Sequence, residues 1–142
     1  FMFYSAEEAG LLGSQAIVKD YRDRGVPASV LHIDMDGWPG TGNTPSMAVI
    51  TDNTSSALTD FIRVLAKRYT NLPIVETKCG YACSDHYSWT AAGYASAALF
   101  EGRFEDLNPH IHSSSDTVEN IDFDHMQEFV KVALAFALHM AE

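Results

Sequence analysis

The stretch Met47-Ala-Val-Ile-Thr51, then Ser55-Ser-Ala-Leu-Thr-Asp-Phe-Ile-Arg-Val-Leu-Ala-Lys-Arg-Tyr69, then Pro73-Ile-Val-Glu-Thr77 reads as a strand, a helix and a strand. Residues 47–51 form a short apolar run. Ser55 or Ser56 is a natural helix N-cap, because its side-chain oxygen can accept from the free N–H groups of the first turn. From there to Tyr69, Leu58, Phe61, Ile62, Leu65 and Ala66 recur at helical spacing on one face. A one-sided helix between two strands belongs on a sheet.

The pattern extends in both directions. Upstream, Ser29–Met35 reads as a strand, followed by a Gly-, Pro- and Asn-rich loop over Trp38–Pro45. Before it, a helix is expected over Glu8–Arg24, with Leu11, Leu12, Ala16, Ile17 and Tyr21 on its apolar face and Gly25 as the stop. Residues 1–5, Phe-Met-Phe-Tyr-Ser, read as part of a buried strand, so residue 1 is expected to be a cut. Downstream come a helix over Ser84–Ala92, a strand over Tyr94–Phe100, a long loop over Glu101–Asn120 and a closing helix over Asp124–Met140. Strands alternating with helices predict a single α/β domain, a three-layer α/β/α sandwich around a mostly parallel, mixed sheet. Active sites of such sheets gather outside the carboxyl ends of the strands. The chemistry-bearing residues fall at those ends or in the long loop.

Composition narrows the function. The chain carries 9 Lys and Arg against 19 Asp and Glu, a formal net charge of -10. Phosphate binding needs clustered basic residues, so a nucleic-acid partner is not expected. No run approaches the roughly 20 apolar residues that span a bilayer, so no membrane partner is expected either. Cys79 and Cys83 stand in Cys-Gly-Tyr-Ala-Cys with no second pair to complete a zinc site. They form either a local disulfide, which belongs to an oxidising compartment, or two free thiols. Asn53-Thr54-Ser55 is an N-glycosylation acceptor pattern that fits the same compartment.

Three segments hold candidate chemistry. Glu7 and Glu8 stand where an apolar run gives way to a helix, where one carboxylate can bind a metal and its neighbour can act as a base. His32, Asp34 and Asp36 would share one face if the strand runs that far. In Asn108-Pro-His110-Ile-His112-Ser-Ser-Ser-Asp116, a His pair could supply an imidazole ligand, with the nearby carboxylate to orient it. Ser84-Asp85-His86 is not read as a catalytic triad, because triad members converge from separate segments.

In this order, Ser5-Ala-Glu-Glu-Ala-Gly-Leu-Leu-Gly-Ser14, Ile33-Asp-Met-Asp36, Cys79-Gly-Tyr-Ala-Cys-Ser-Asp-His86 and Asn108–Thr117 resemble the secreted two-zinc aminopeptidases of bacteria and fungi, the leucyl aminopeptidase type. The match runs over residues 1–142, as the C-terminal portion of the catalytic domain. The resemblance implies a zinc metalloaminopeptidase that removes Leu-like, apolar N-terminal residues from peptides. It makes Glu7 the general base, Glu8 and His112 ligands of one zinc, and Asp34 a ligand of the other. It pairs Cys79 with Cys83 and sets Tyr81 beside the substrate. Met35, Ile50, Phe100, Phe104 and Ile111 become walls of the side-chain pocket. A further His and an Asp bridging the metals are expected upstream of residue 1, in a segment that could accompany this chain as a separate piece; the fragment alone would then be inactive. His32, His86, His110, His125 and His139 match no ligand position. Two alternatives remain at this stage: a single-zinc glutaminyl cyclase, and a non-catalytic binding domain of the same fold.

Overall fold

The structure is a computed structural model that describes residues 1–40 and 45–141; positions 41–44 of the expected Trp38–Pro45 loop lie outside the described residues. The chain forms α1 (Leu12–Asp23), β1 (Ser29–Ile33), β2 (Met47–Ile50), α2 (Ser56–Tyr69), β3 (Ile74–Thr77), α3 (His86–Ala91), β4 (Ala95–Phe100) and α4 (Phe123–Met140). Two single 3-10 turns, Phe104–Asp106 and Val118–Asn120, interrupt the long loop.

The sheet order is β1-β4-β2-β3. β1 runs parallel to β4 and β2 parallel to β3, while the central β2–β4 pair is antiparallel. The sheet is therefore mixed, as the sequence predicts. Alternation splits the strands between two faces. Met47, Val49, Ala97 and Leu99 point to one, where Leu58, Ile62 and Leu65 of α2 and Phe129 and Val132 of α4 close the main core. Each such large side chain contributes roughly 1.5–3 kcal/mol by leaving water. Ala48, Ile50, Ala98 and Phe100 point to the other face, toward Met35, Phe104, Leu107 and the two cysteines. α3 covers β1 and β4 on that side, with α1 outside it. Ser14 Oγ and Ser88 Oγ lie 2.8 Å apart, and the rings of Tyr21 and Trp89 meet edge to face at 5.2 Å.

Three local expectations need correction. Residues 1–5 are not a buried strand: they lack strand pairing, and Phe1 and Phe3 are 99% and 94% exposed. An apolar run becomes a strand only when a neighbouring strand takes its N–H and C=O groups, and among the described residues only Gly13 N reaches one of them, the Ser5 carbonyl, as part of a turn. The first helix starts at Leu12 rather than Glu8, because residues 5–13 close into a turn. In it Leu11 N donates to Glu7 O (2.8 Å) and Gly13 N to Ser5 O (3.0 Å), with Ala6 and Leu11 in the left-handed region. Finally, β1 stops at Ile33, and Met35 has φ 52°, so simple alternation does not carry Asp34 and Asp36 onto one face.

Candidate metal and active site

The turn at residues 5–13 exists because α1 approaches it so closely. A Cβ on Gly13 would lie 2.3 Å from the Ser5 carbonyl oxygen, so only glycine admits the contact. The turn presents Glu7 and Glu8 at the rim of an open cleft of about 1210 Å³ that Asp34, Tyr81, Phe104 and His112 also line.

Glu8 and His112, 104 positions apart in sequence, meet directly: His112 Nδ1 lies 2.9 Å from Glu8 Oε1. His112 has φ 59° and is set at the end of a turn that Asn108 organises, its side-chain oxygen accepting from His110 N at 2.9 Å. Asp116 does not orient either histidine; its carboxylate accepts from Asn108 Nδ2 at 3.0 Å. Glu7 stands between the two sides of the cleft. Burial raises its carboxyl above the ordinary range, and the charges of Asp34, Glu8 and Asp85 add to that rise while His112 opposes it. A carboxyl so placed holds a proton more readily than a free one.

Asp34 is fixed from behind. Ser84 Oγ donates to Asp34 Oδ2 at 2.6 Å, and His32 Nε2 lies 2.7 Å from the same hydroxyl. The hydroxyl has one hydrogen and gives it to the carboxylate, so His32 Nε2 is the donor in the second bond. His32 itself is 4.0 Å from the carboxylate and acts on it mainly through Ser84. Burial pushes the Asp34 carboxyl up, but these partners outweigh it and hold it below its usual value. Ser84, Asp85 and His86 form no triad. Both His86 nitrogens and Asp85 Oδ1 are buried with no hydrogen-bond partner among the described residues, and the His86 ring packs on His32 at 5.8 Å.

One wall of the cleft is apolar. Cys79 and Cys83 form a disulfide, and Asp52 anchors that loop by accepting from Cys79 N (3.0 Å) and Gly80 N (2.7 Å). Asn53, in the acceptor pattern, donates from its side-chain amide to the Tyr81 carbonyl at 3.2 Å. Tyr81 is 59% exposed and its ring meets Phe104 edge to face. Met35, Phe100, Phe104 and Ile111 line the cleft together with Leu107. Ile50 does not; it is fully buried and supports Phe100 from behind.

Carboxylate oxygen and imidazole nitrogen are the donor types zinc takes in catalytic sites. Glu8 and His112 meet that test on one side and Asp34 on the other. Among the described residues no group of three or more His, Cys, Asp or Glu side chains is gathered tightly enough to hold an ion. The fit is chemical but incomplete.

Beyond the expected residues, the structure adds Ser84, His32, Asp52, Asn108 and Glu101. Only their neighbours in space give them roles; an Asp after a strand or a Glu before a Gly reads as a turn residue in sequence.

A family model described as Peptidase family M28 matches residues 1–137. The chain belongs to peptidase family M28. This M28 chain is 44% identical over 142 residues to a probable leucine aminopeptidase of Arthroderma otae, covering 99% of the chain and 38% of that protein. Its fold superposes on the Legionella pneumophila LapA structure with a TM-score of 0.94 at 39% identity, covering 98% of this chain and 39% of that one. BSAP, a zinc aminopeptidase from Bacillus subtilis, aligns with a TM-score of 0.74 at 26% identity over 94% of this chain and 34% of BSAP. The M28 chain thus spans well under half the length of each of these relatives.

Proposed function

We propose that this chain forms the substrate-side part of a secreted zinc aminopeptidase that removes Leu-like N-terminal residues from peptides. The observation that carries the reading is the meeting of Glu8 and His112 at 2.9 Å beside Glu7 and Asp34 in one cleft. The names borne by its relatives, leucine aminopeptidase and zinc aminopeptidase, support the same reaction class.

In this reading Glu8 and His112 hold one zinc and Asp34 holds a second. When bound, zinc supplies a Lewis acid that polarises the scissile carbonyl and brings the pKa of water to near ~7. Glu7 takes the proton of the attacking water and passes it to the leaving amine. Ser84, backed by His32, fixes the Asp34 carboxylate and keeps it ionised. Tyr81 donates a hydrogen bond to the oxygen on which charge develops. Met35, Phe100, Phe104, Leu107 and Ile111 take an apolar first side chain and shed its water.

Catalytic zinc typically has three protein ligands, and here one side has two and the other one. We assign the remaining donors to a segment outside these 142 residues, either continuous with this chain or docked as a separate piece. The free edge of β1, where no described residue pairs, and the exposed apolar side chains Val130, Leu134 and Leu138 of α4 give such a segment a surface. The disulfide fits an extracellular location.

The test is Glu7→Gln in the complete protein, assayed for zinc content and for hydrolysis of leucyl-nitroanilide. Zinc should stay bound while turnover falls by at least about 10²-fold, the lower end for loss of general-base catalysis. Near-normal turnover in a zinc-replete preparation would remove Glu7 from the mechanism.

A further inference from the structure

Glu101 follows β4 directly, is 4% exposed, and forms no ion pair among the described residues. A buried carboxylate is costly unless its oxygens are satisfied. Here they are satisfied by backbone from two different loops. Trp38 N donates to Oε2 at 2.8 Å, and Asn108 N donates to Oε1 at 3.0 Å. The Glu101 main chain adds a third link, its N–H donating to Met35 O at 2.7 Å.

The two loops are those on which the site is built. One runs from Asp34 through Met35 to Trp38, and is held further along by Asp122 N donating to Gly37 O at 2.8 Å. The other runs from Phe104 through Leu107 and Ile111 to His112. Asn108, at its centre, is itself 8% exposed, and its side chain bonds Asp116 and His110 N. Nothing else named above joins the Asp34 side of the cleft to the His112 side so directly.

We propose that Glu101 is a positioning residue whose carboxylate clamps the loop after β1 to the loop after β4, fixing Asp34 relative to His112 and the apolar wall between them. The inference rests on the proposed function for its catalytic consequence, but the clamp itself is a property of the fold. It requires both the reach and the two acceptor oxygens of glutamate. Glu101→Gln turns one oxygen into an NH₂ that faces a backbone N–H. Glu101→Asp keeps both oxygens but falls short by a methylene, and cannot bridge both amides.

The experiment compares the complete wild-type protein with E101Q and E101D at about pH 8, where the Glu101 carboxyl is ionised and both oxygens accept. Three quantities are read: amide hydrogen exchange at Trp38 and Asn108, zinc loss to a chelator, and kcat and KM on leucyl-nitroanilide. In wild type both amides should be protected. In both variants they should exchange faster while amides of β2 stay protected, zinc should leave at least about tenfold faster, and kcat should fall more than KM rises. Misplacing catalytic groups by about 1 Å costs on the order of 10²-fold, which sets the expected scale for kcat. Wild-type Trp38 and Asn108 amides that exchange at open-loop rates would overturn the clamp even if neither variant folded. So would variants that lose thermal stability yet keep zinc retention and kcat within twofold of wild type. An inactive wild type would refute the proposed activity instead, leaving the exchange and zinc measurements to judge Glu101.

Discussion

Replacing Glu101 by Gln should tilt the pH dependence of folding stability, and the structure gives both the sign and the size. Burial, with a smaller push from the Asp36 charge, raises the Glu101 carboxyl from 4.5 to about 7, although the amides of Asn108, Trp38 and Gly37 oppose it. The folded protein therefore holds this proton more tightly than the unfolded chain does. The contribution of Glu101 is full below pH 4.5 and is lost as pH rises through 7. His86 acts in the opposite direction: burial, with His32 adding, lowers its imidazole from 6.5 to about 4 against the charges of Asp52 and Asp34. Its contribution is full above pH 6.5 and is lost as pH falls through 4.

Between pH 4.5 and 6.5 the two slopes oppose each other, each about 1.4 kcal/mol per pH unit. E101Q removes one and leaves the other. The stability difference, E101Q minus wild type, should then grow in favour of the variant by about 3 kcal/mol across that window. Groups titrating alike in both proteins cancel from the difference. Urea unfolding of wild type and E101Q at half-unit pH steps, with equal m-values, measures it. Two curves that stay parallel from pH 4.5 to 6.5 would refute the reasoning, because Glu101 would then titrate like a free carboxyl.

Two further outcomes follow from packing. Gly13→Ala places a methyl group 2.3 Å from Ser5 O and must displace the turn carrying Glu7 and Glu8, so kcat/KM of the complete enzyme should drop on the order of 10²-fold, measured on leucyl-nitroanilide. Phe129→Ala empties the centre of the main core, where Phe129 is fully buried, and should cost about 3–5 kcal/mol by urea unfolding, whereas Phe129→Leu should cost clearly less.

How much of this was legible in the sequence depends on the range of the forces involved. α2 spans Ser56–Tyr69 as its apolar spacing predicts, because helix bonds are local and its periodicity is read within one segment; Ser55 holds the N-cap position but its side chain makes none of the expected cap hydrogen bonds. Residues 1–5 have the composition of a strand and fail to be one, because a strand is completed by a distant partner. β1 is two residues shorter than expected for a similar reason: Glu101 N and Leu99 O take up Met35 O and Asp34 N, and the left-handed turn at Met35 replaces continued pleating. The segments that hold the candidate ligands stand out in the sequence, but the choice of Glu8, Asp34 and His112 within them rests on resemblance to a motif order. Ser84 reaching Asp34 across 50 positions, or Glu101 gripping Trp38 across 63, leaves no local mark at all. His32 and His86 match no ligand position in sequence; His32 Nε2 lies 2.7 Å from Ser84 Oγ and the His86 ring packs on His32, an arrangement that no spacing rule encodes.

The antiparallel seam at the middle of the sheet has a consequence of its own. β2 and β4 share only two register pairs, Ala48 with Phe100 and Val49 with Leu99. On one side of that seam lie β1 and β4, which lead into Asp34, Glu101 and His112. On the other lie β2 and β3, which lead into Asp52 and the disulfide loop with Tyr81. In the proposed reading the reacting groups and most of the apolar wall would thus hang from the β1–β4 half, and the β2–β3 half would add the loop that carries Tyr81. Helices α2 and α4 weld the halves from beneath. A change in the disulfide loop would then reach Asp34, Glu101 and His112 only across that short seam.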